Sequence, residues 1–277
     1  MRSRPIGVFD SGLGGLTVLQ SMIDLLPGED LIYLGDTARY PYGERSVEEL
    51  QRFARAIAAS LVDRDVKLLV VACNSATAAA LDLLREEFPV PVVGVVGPGL
   101  RAAATVSRTG RIVVIGTRVT ARSGVYEATA ERLGLDLTIT TLACPGFVEL
   151  VEEGRTEGPE ALRVVRDRLE PRLSAREDTI VLGCTHFPLL GRTISEVVGR
   201  HVALVSSADE TAFEVRDLLL RTGWMRDRSE GGGVRILTTG DPVRFRRLGQ
   251  RFLGVPLPAV ARVAFSELGD APVPRTA

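Results

Sequence analysis

Short apolar runs alternate with longer amphipathic stretches along most of the chain. Each run has the length of one strand and is rich in valine, isoleucine and leucine, a composition typical of parallel strands buried on both faces. The runs predict strands at Ile6–Phe9, Leu31–Leu34, Lys67–Ala72, Val92–Val95, Arg111–Ile115, Leu135–Leu142, Thr179–Leu182, His201–Val205, Val234–Thr238 and Ala259–Val263.

The stretches between these runs have the periodicity of helices. In Ser46–Asp63, Ser46 and Glu49 form the signature of a capping box, which marks a helix start. Asn74–Glu87 and Pro159–Leu173 are also helical in pattern. Because strands that alternate with helices form parallel βαβ units, the pattern predicts an α/β fold.

The length of 277 residues predicts two lobes or one large domain. Val96–Gly99 contains residues that interrupt regular structure, and Ser206–Ala208 is a second expected crossing between lobes. We predict a first α/β lobe from residues 1–97 plus 208–277 and a second from residues 98–207. Each lobe would contain an open parallel sheet, and the active site would lie in the cleft between the two similar lobes.

Charge and composition exclude several functional classes. The 34 basic and 35 acidic side chains give a formal net charge of −1, so no charge excess favours nucleic acid or a membrane surface. No apolar run reaches the ~18 residues of a membrane span, and Met1–Ile6 begins no signal peptide, so we expect a cytoplasmic protein. Arg226–Gly233 is predicted to be a flexible loop, and the proline-rich end from Gly269 is predicted to be disordered.

Metal and cofactor sites find little support in the sequence. The three cysteines form no C-x-x-C pair, and the chain has only two histidines, so we expect no structural metal. The single lysine, Lys67, opens a predicted strand, and its neighbours offer no phosphate cradle for pyridoxal phosphate. We therefore expect a protein that works without a cofactor.

Two cysteines occur in matching settings. Leu68–Ala76 and Thr179–Phe187 each run from an apolar strand through a cysteine and two hydrogen-bonding residues into a helix start. A thiol at the carboxyl end of a parallel strand meets oriented N–H groups, which lower its pKa from ~8.5 toward neutrality. A lone cysteine is more often a buried apolar residue, but the pair favours chemistry at Cys73 and Cys184, facing each other across a cleft.

The neighbours of the two histidines and of the third cysteine indicate the role of each. His186 follows Cys184 by two residues and could hold a thiolate or shuttle a proton, whereas an isolated histidine is more often structural. His201 begins a predicted strand and is expected to be ordinary. Cys144 precedes Pro145-Gly146 instead of a helix start and is predicted to be structural.

The glycine-rich start, Gly7–Val18, could be mistaken for a nucleotide loop. It lacks the third glycine of G-x-G-x-x-G and the GK[ST] of a P-loop, and Asp10 at the strand end would repel a pyrophosphate. Asp10 suits an ammonium group or assistance to a cysteine. Leu34–Gly43 is either a plain turn or a backbone platform for a ligand carboxylate.

Together these segments resemble the glutamate racemases of the aspartate/glutamate racemase superfamily. The resemblance depends on GVFDSGLGGLTV, YLGDTARYPYG (33–43), VACNSAT (71–77) and LGCTHFPLL (182–190), with IGT (115–117) and CPGFVELVE (144–152) in support. These motifs follow the order of the family from residue 6 to about residue 190.

The resemblance implies an isomerase in which two cysteines racemise an amino acid without a cofactor. Cys73 and Cys184 would take and give the α-proton, with Asp10 assisting Cys73 and with His186 and Glu152 assisting Cys184. The implied substrate contacts are Asp10, Ser11, Tyr42, Gly43, Asn74, Ser75, Thr117, Thr185 and His186. Two positions depart from the family pattern: Ser75 replaces a common threonine, and Glu149 a frequent proline. Glu149 and Glu153 leave the assignment of Glu152 open.

The resemblance further implies the substrate glutamate and a product, D-glutamate, that serves peptidoglycan synthesis, cell wall biogenesis and cell shape in a bacterial cytoplasm. The expected protein partner is a second copy of the chain, as a homodimer. Three alternatives stay open: an aspartate or hydantoin racemase of the same superfamily, a non-catalytic two-lobe protein that binds an acidic ligand, and a nucleotide-binding oxidoreductase, which the incomplete glycine pattern disfavours.

Overall fold

Ten parallel strands form two sheets in the computed structural model, which describes residues 1–174, 176–227 and 231–268. The six-stranded sheet contains β1 (Ile6–Asp10), β2 (Leu31–Gly35), β3 (Leu68–Val71), β4 (Val92–Gly94), β9 (Val234–Thr238) and β10 (Val260–Arg262). The four-stranded sheet contains β5 (Arg111–Gly116), β6 (Thr138–Ala143), β7 (Thr179–Gly183) and β8 (Ala203–Ser206). The α/β prediction, and with it every predicted strand, is confirmed.

The strand orders of the two sheets show an internal repeat. The first sheet runs β10-β9-β2-β1-β3-β4, and the second runs β6-β5-β7-β8. Four consecutive strands of the first sheet, β2-β1-β3-β4, therefore have the same order as the whole second sheet. In this correspondence β3, which precedes Cys73, is equivalent to β7, which precedes Cys184. The prediction of two similar open sheets is confirmed.

Eleven α-helices connect these strands within the described residues. They are α1 (Leu16–Leu25), α2 (Val47–Val62), α3 (Asn74–Glu87), α4 (Val96–Val106), α5 (Arg118–Arg122), α6 (Val125–Arg132), α7 (Phe147–Glu153), α8 (Pro159–Leu169), α9 (Gly191–Val198), α10 (Ser207–Thr222) and α11 (Pro242–Leu253). The predicted capping box is present, since the Ser46 hydroxyl accepts from the Glu49 N–H and the Glu49 carboxylate accepts from the Ser46 N–H. Of the described helices, none is long and apolar enough to cross a membrane.

One local prediction is wrong. Val96–Gly99 was expected to interrupt regular structure, but α4 begins at Val96 and runs through these residues. Pro98 lies in the first turn, where a backbone N–H has no partner inside the helix, so proline is tolerated there. The lobe boundaries at residues 97/98 and 207/208 stay a prediction. The expected disordered end and residues 228–230 of the expected loop lie outside the described residues.

Apolar side chains cover both faces of each sheet. In β3, Leu68 and Val70 belong to one core cluster and Leu69 and Val71 to the cluster on the opposite face. Strand β5 divides its side chains between two clusters in the same way. Burying one such side chain contributes roughly 1.5–3 kcal/mol, so the central strands are firmly held and fix the positions of the loops at their ends.

Lys67 lies at the amino end of β3, opposite the end that carries Cys73. Its ammonium forms a buried ion pair with Glu29 at 2.5 Å and donates to the carbonyl oxygens of Arg2 and Trp224. These partners tie the N-terminus and the segment after α10 to the first sheet. The chain's one lysine therefore has a structural environment and does not line the cavity that contains Cys73 and Cys184.

Candidate active site

A cavity of about 260 Å³ lies where the carboxyl ends of the two sheets meet. Both cysteines that follow equivalent strands, Cys73 and Cys184, line it. Every site residue predicted from the sequence lines this cavity except Asp10, which is fully buried at the end of β1. Loop residues at strand ends of parallel sheets are where ligands are expected.

Cys73 caps the N-terminus of α3 and is almost completely buried. Its Sγ lies 3.7 Å from the Ser11 Oγ. Burial raises the pKa of the Cys73 thiol, and the charge of Asp10 raises it further, although the Ala76 N–H and Ser11 act in the opposite direction. The sequence predicted a lowered pKa at this position, and for Cys73 that prediction is wrong. The oriented N–H groups are present, but the loss of hydration outweighs them.

Asp10 provides a buried carboxylate beside Cys73. Its Oδ2 accepts from the Gly12 N–H at 3.0 Å, and its Oδ1 has no hydrogen-bond partner. Burial raises the pKa of Asp10, and the positive charge of His186 and the N–H groups of Gly15 and Gly12 oppose that rise. A buried carboxylate with a raised pKa and an open acceptor can receive a proton from a neighbouring group.

Two glycines after β1 are required by close approaches. A Cβ at Gly14 would lie 2.6 Å from His186 Nδ1 and would also overlap the Thr185 hydroxyl. A Cβ at Gly15 would lie 2.6 Å from the Asp10 Cβ. The glycine-rich segment therefore lets the chain pass between Asp10 and the residues after Cys184.

Cys184 has a cationic neighbour. Its Sγ lies 3.8 Å from His186 Nδ1, and His186 Nε2 lies 3.5 Å from Glu152 Oε1, an ion-pair distance without hydrogen-bond alignment. Burial acts to lower the pKa of His186, but the interactions with Cys184, Glu152 and Asp10 outweigh it and raise the pKa to about 10. His186 is therefore protonated near neutral pH.

The helix start predicted after Cys184 differs from the one after Cys73. A 3₁₀ turn, Phe187–Leu190, comes first, and α9 follows it. Pro188 lies at the start of that turn. Only Cys73 is the direct N-cap of an α-helix, so the two thiols share a strand position but not a helix position.

The structure separates the three glutamates near His186. Glu149, Glu152 and Glu153 all line the cavity. Glu152 reaches the His186 ring, whereas Glu153 forms an ion pair with Arg155. Glu152 is therefore the glutamate whose geometry fits assistance to His186.

The predicted binding residues form bonds between the two sheets. Ser75 and Thr117 share a hydroxyl hydrogen bond of 2.9 Å, and Gly43 packs closely against Thr117. Thr185 is buried beside Gly14. The Tyr42 hydroxyl donates to Asp36 Oδ2 at 2.5 Å, so Tyr42 meets the cavity through other parts of its side chain or backbone.

Sequence reasoning missed several residues near the site. Cys144, predicted to be structural, lies in the core beneath the cavity and also lines it, and burial raises its pKa to about 12. The Tyr40 ring lies 6.4 Å from the His186 ring, and Tyr126 hydrogen-bonds Asn74 from α6. Tyr40 belongs to a recognised motif, YLGDTARYPYG, but the sequence around Tyr126 carries no such signal.

The arrangement can hold a small polar molecule in a cavity that both Cys73 and Cys184 line. One thiol has a buried carboxylate nearby and the other has a protonated histidine. Within residues 1–174, 176–227 and 231–268, no three histidine, cysteine, aspartate or glutamate side chains cluster as a metal site.

Comparison with known proteins agrees with this geometry. Residues 6–214 match the family model described as Asp/Glu/Hydantoin racemase. A glutamate racemase of Geobacter metallireducens is 49% identical over 261 residues, 94% of this chain and 97% of that protein. A Bacillus anthracis glutamate racemase structure has a TM-score of 0.89 at 39% identity, covering 95% of this chain and 98% of that one. The Francisella tularensis glutamate racemase in complex with D-glutamate has a TM-score of 0.88 at 30% identity, covering 95% and 98% of the two chains.

Proposed function

The chain belongs to the Asp/Glu/hydantoin racemase family, and on that premise we propose that it interconverts L- and D-glutamate without a cofactor. Racemases are isomerases. The substrate assignment is supported by relatives named glutamate racemase that align over nearly the whole chain, one of them crystallised with D-glutamate. The single observation that carries the mechanism is the presence of Cys73 and Cys184 in one cavity, at the ends of equivalent strands.

In the proposed reaction one cysteine acts as thiolate and the other as thiol. The thiolate sulfur takes the α-proton, so the S–H bond forms as the C–H bond breaks and the electron pair stays on the α-carbon. The opposite thiol then gives its proton to the other face, which inverts the configuration and leaves that sulfur ionised. The carbanion is short-lived and unstable, so both groups must be in place before the proton leaves.

The helper residues are assigned from their contacts. On the Cys73 side, Asp10 would take the thiol proton, because its Oδ1 has no other partner in a buried setting. On the Cys184 side, protonated His186 would supply positive charge and a proton, and Glu152 would keep it charged. These steps need no group from outside the chain other than substrate.

Substrate contacts are proposed for the polar groups around the cavity. Ser11, Asn74, Ser75, Thr117, Thr185 and His186 supply side-chain donors and acceptors, Gly43 supplies backbone, and Tyr42 lines the wall. Asp10 is proposed to attract the ammonium group from behind this surface. The remaining alternatives are a racemase specific for aspartate or for a hydantoin and a protein that binds an acidic ligand without turnover.

The decisive experiment measures the optical rotation of L- and D-glutamate with the protein and no added cofactor. We expect loss of rotation from either enantiomer, and α-deuteration of the product in deuterated buffer. Cys73→Ala and Cys184→Ala should each reduce racemisation by at least about 1,000-fold, because inversion needs one base on each face.

Three results would contradict the proposal. Full racemisation by either cysteine variant would remove the two-thiol mechanism, and turnover of aspartate or a hydantoin in preference to glutamate would assign a different substrate. Ligand-induced stabilisation without any change in rotation would leave a binding protein.

We further propose that the product serves peptidoglycan synthesis, and so the cell wall and cell shape, in a bacterial cytoplasm. Restored growth of a D-glutamate-requiring bacterial strain would support this role, and failure of an expressed, active protein to restore growth would oppose it. A homodimer is also proposed, and sedimentation equilibrium would measure it directly.

A further inference from the structure

Tyr126 is a buried residue that does not line the cavity. Its side chain is 1% exposed, and its ring packs in the core cluster between α4, α6 and the second sheet. Its hydroxyl leaves that apolar cluster and meets Asn74, the first residue of α3, which follows β3 of the first sheet. A tyrosine hydroxyl carried by an apolar ring usually has a specific partner when it is buried.

Asn74 follows Cys73 directly and begins α3. Its Nδ2 donates to the Tyr126 hydroxyl at 2.9 Å, and its Oδ1 is buried without a hydrogen-bond partner. The bond to Tyr126 therefore fixes one end of the amide and leaves the other end for a ligand. At neutral pH the ammonium group is the part of glutamate that can donate to such an acceptor, since both carboxylates are ionised.

The same hydroxyl packs against the residue before Cys184. A Cβ on Gly183 would lie 3.0 Å from the Tyr126 oxygen. Burial raises the pKa of the Tyr126 phenol, and the nearby Cys184 raises it further, so the hydroxyl stays neutral. The uncharged Tyr126 hydroxyl thus contacts Asn74, the residue after Cys73, and Gly183, the residue before Cys184.

We propose that Tyr126 is a positioning residue that aligns the Asn74 amide with the reacting carbon between the two thiols. This inference rests on the proposed racemisation. Tyr126 does not touch the substrate, and it acts by holding Asn74 and the end of β7 in a fixed relation. Removal of the Tyr126 hydroxyl should therefore disturb the alignment of Asn74 in the transition state more than it lowers the stability of the fold.

The test is Tyr126→Phe, which keeps the ring and removes the oxygen. We expect kcat/KM to fall about tenfold, equally from L- and from D-glutamate because the equilibrium constant of a racemisation is one. The decrease should appear mainly in kcat. Thr193→Val is the matched control, because it removes another buried hydroxyl of the second sheet region, one that donates to the Thr156 carbonyl at 2.6 Å. It should lower the melting temperature and leave kcat/KM unchanged.

A double-mutant cycle separates positioning from a general structural effect. If Tyr126 acts through Asn74, Tyr126→Phe combined with Asn74→Ala should be no slower than Asn74→Ala alone. Independent, multiplicative losses would overturn the inference, as would unchanged kcat/KM in Tyr126→Phe. If the wild-type protein does not racemise glutamate, the proposed function is wrong. If the wild type is active and Tyr126→Phe is equally active, only the inference about Tyr126 is wrong.

Discussion

Cys73 and Cys184 occupy equivalent places in two similar sheets, yet their surroundings have opposite charge. Cys73 lies beside Asp10, a buried carboxylate, and the pKa of the Cys73 thiol is raised. Cys184 lies 3.8 Å from His186, whose pKa of about 10 keeps it protonated near neutral pH. The repeated backbone places two thiols alike, and the loops give them different partners.

The difference suggests how one cavity can accommodate both directions of a reaction. Asp10 can accept a proton from Cys73, whereas His186 can donate a proton to Cys184. The two cysteines therefore interconvert between thiol and thiolate with different assistance. Because racemisation has an equilibrium constant of one, kcat/KM must be equal in both directions whatever the asymmetry. The asymmetry should instead appear in isotope effects, which report the removal of the α-proton from one enantiomer at a time.

Apart from loss of the cysteines themselves, the largest predicted effect comes from Gly14→Ala. A methyl group there would overlap Thr185 and His186 and should displace the Cys184 side. We expect kcat/KM to fall by roughly 1,000-fold, since misplacing reacting groups by about 1 Å alone costs around 100-fold. Gly12→Ala is the matched control, because its Cβ would meet Tyr40 at 3.4 Å, an ordinary contact, and should keep most of the activity. Equal losses in the two variants would show that the clash is not the cause.

Asp10→Asn should give the next largest effect. The amide has the shape of the carboxylate but cannot take a proton, so kcat/KM should fall by roughly 100-fold. With α-deuterated substrates, the primary isotope effect should rise for the enantiomer from which Cys73 removes the proton. A rise for both enantiomers alike would contradict the assignment of Asp10 to Cys73.

Glu152→Gln should have a smaller effect on the opposite side. It removes one of the interactions that raise the pKa of His186, so kcat/KM should fall about tenfold and the alkaline limb of its pH profile should move to lower pH. Here the isotope effect should rise for the other enantiomer. Glu153→Gln, whose carboxylate is paired with Arg155, is the control and should change the pH profile little. A larger shift in the Glu153 variant would reassign the helper.

The last prediction concerns the stability of the fold and not the reaction rate. The pKa of His186 is raised in the folded protein, so its contribution to stability is fully present below the unfolded pKa of ~6.5 and is lost as pH rises toward about 10. Between these values the free energy of unfolding should decrease by up to about 1.4 kcal/mol per pH unit. Melting curves of wild type and His186→Gln at pH 7, 8 and 9 would measure this. Parallel curves would show that the histidine is not charged in the fold.

Much of the fold was predictable because it depends on local pattern. Each strand has its own run of apolar residues, and Ser46 and Glu49 encode the start of α2 within four positions. The exception, Val96–Gly99, shows the limit of such rules. Glycine and proline disfavour a helix without forbidding it. At the start of α4, the burial of Val96 and Leu100 outweighs the cost of these residues.

The site was predictable in its residues but not in its electrostatics. The matching contexts of Cys73 and Cys184 and the family motifs identified 11 of the 20 described residues that line the cavity. The direction of the Cys73 pKa shift was missed, because a pKa depends on how much water the thiol loses. Tyr126 was missed because its contact with Asn74 joins residues 52 positions apart.

The sequence by itself determined which segments become strands and helices, and that Cys73 and Cys184 follow two of the strands in matching sequence contexts. These features depend on the apolar period and on residue types at strand ends, which are properties of short segments. Only the tertiary structure decided that the two sheets meet at those ends, that Asp10 lies beside one thiol and His186 beside the other, and that burial outweighs the helix N-terminus at Cys73. The charge state of a side chain depends on its distance from other charged groups and on how much water it loses on burial. Both are set only when distant parts of the chain pack together.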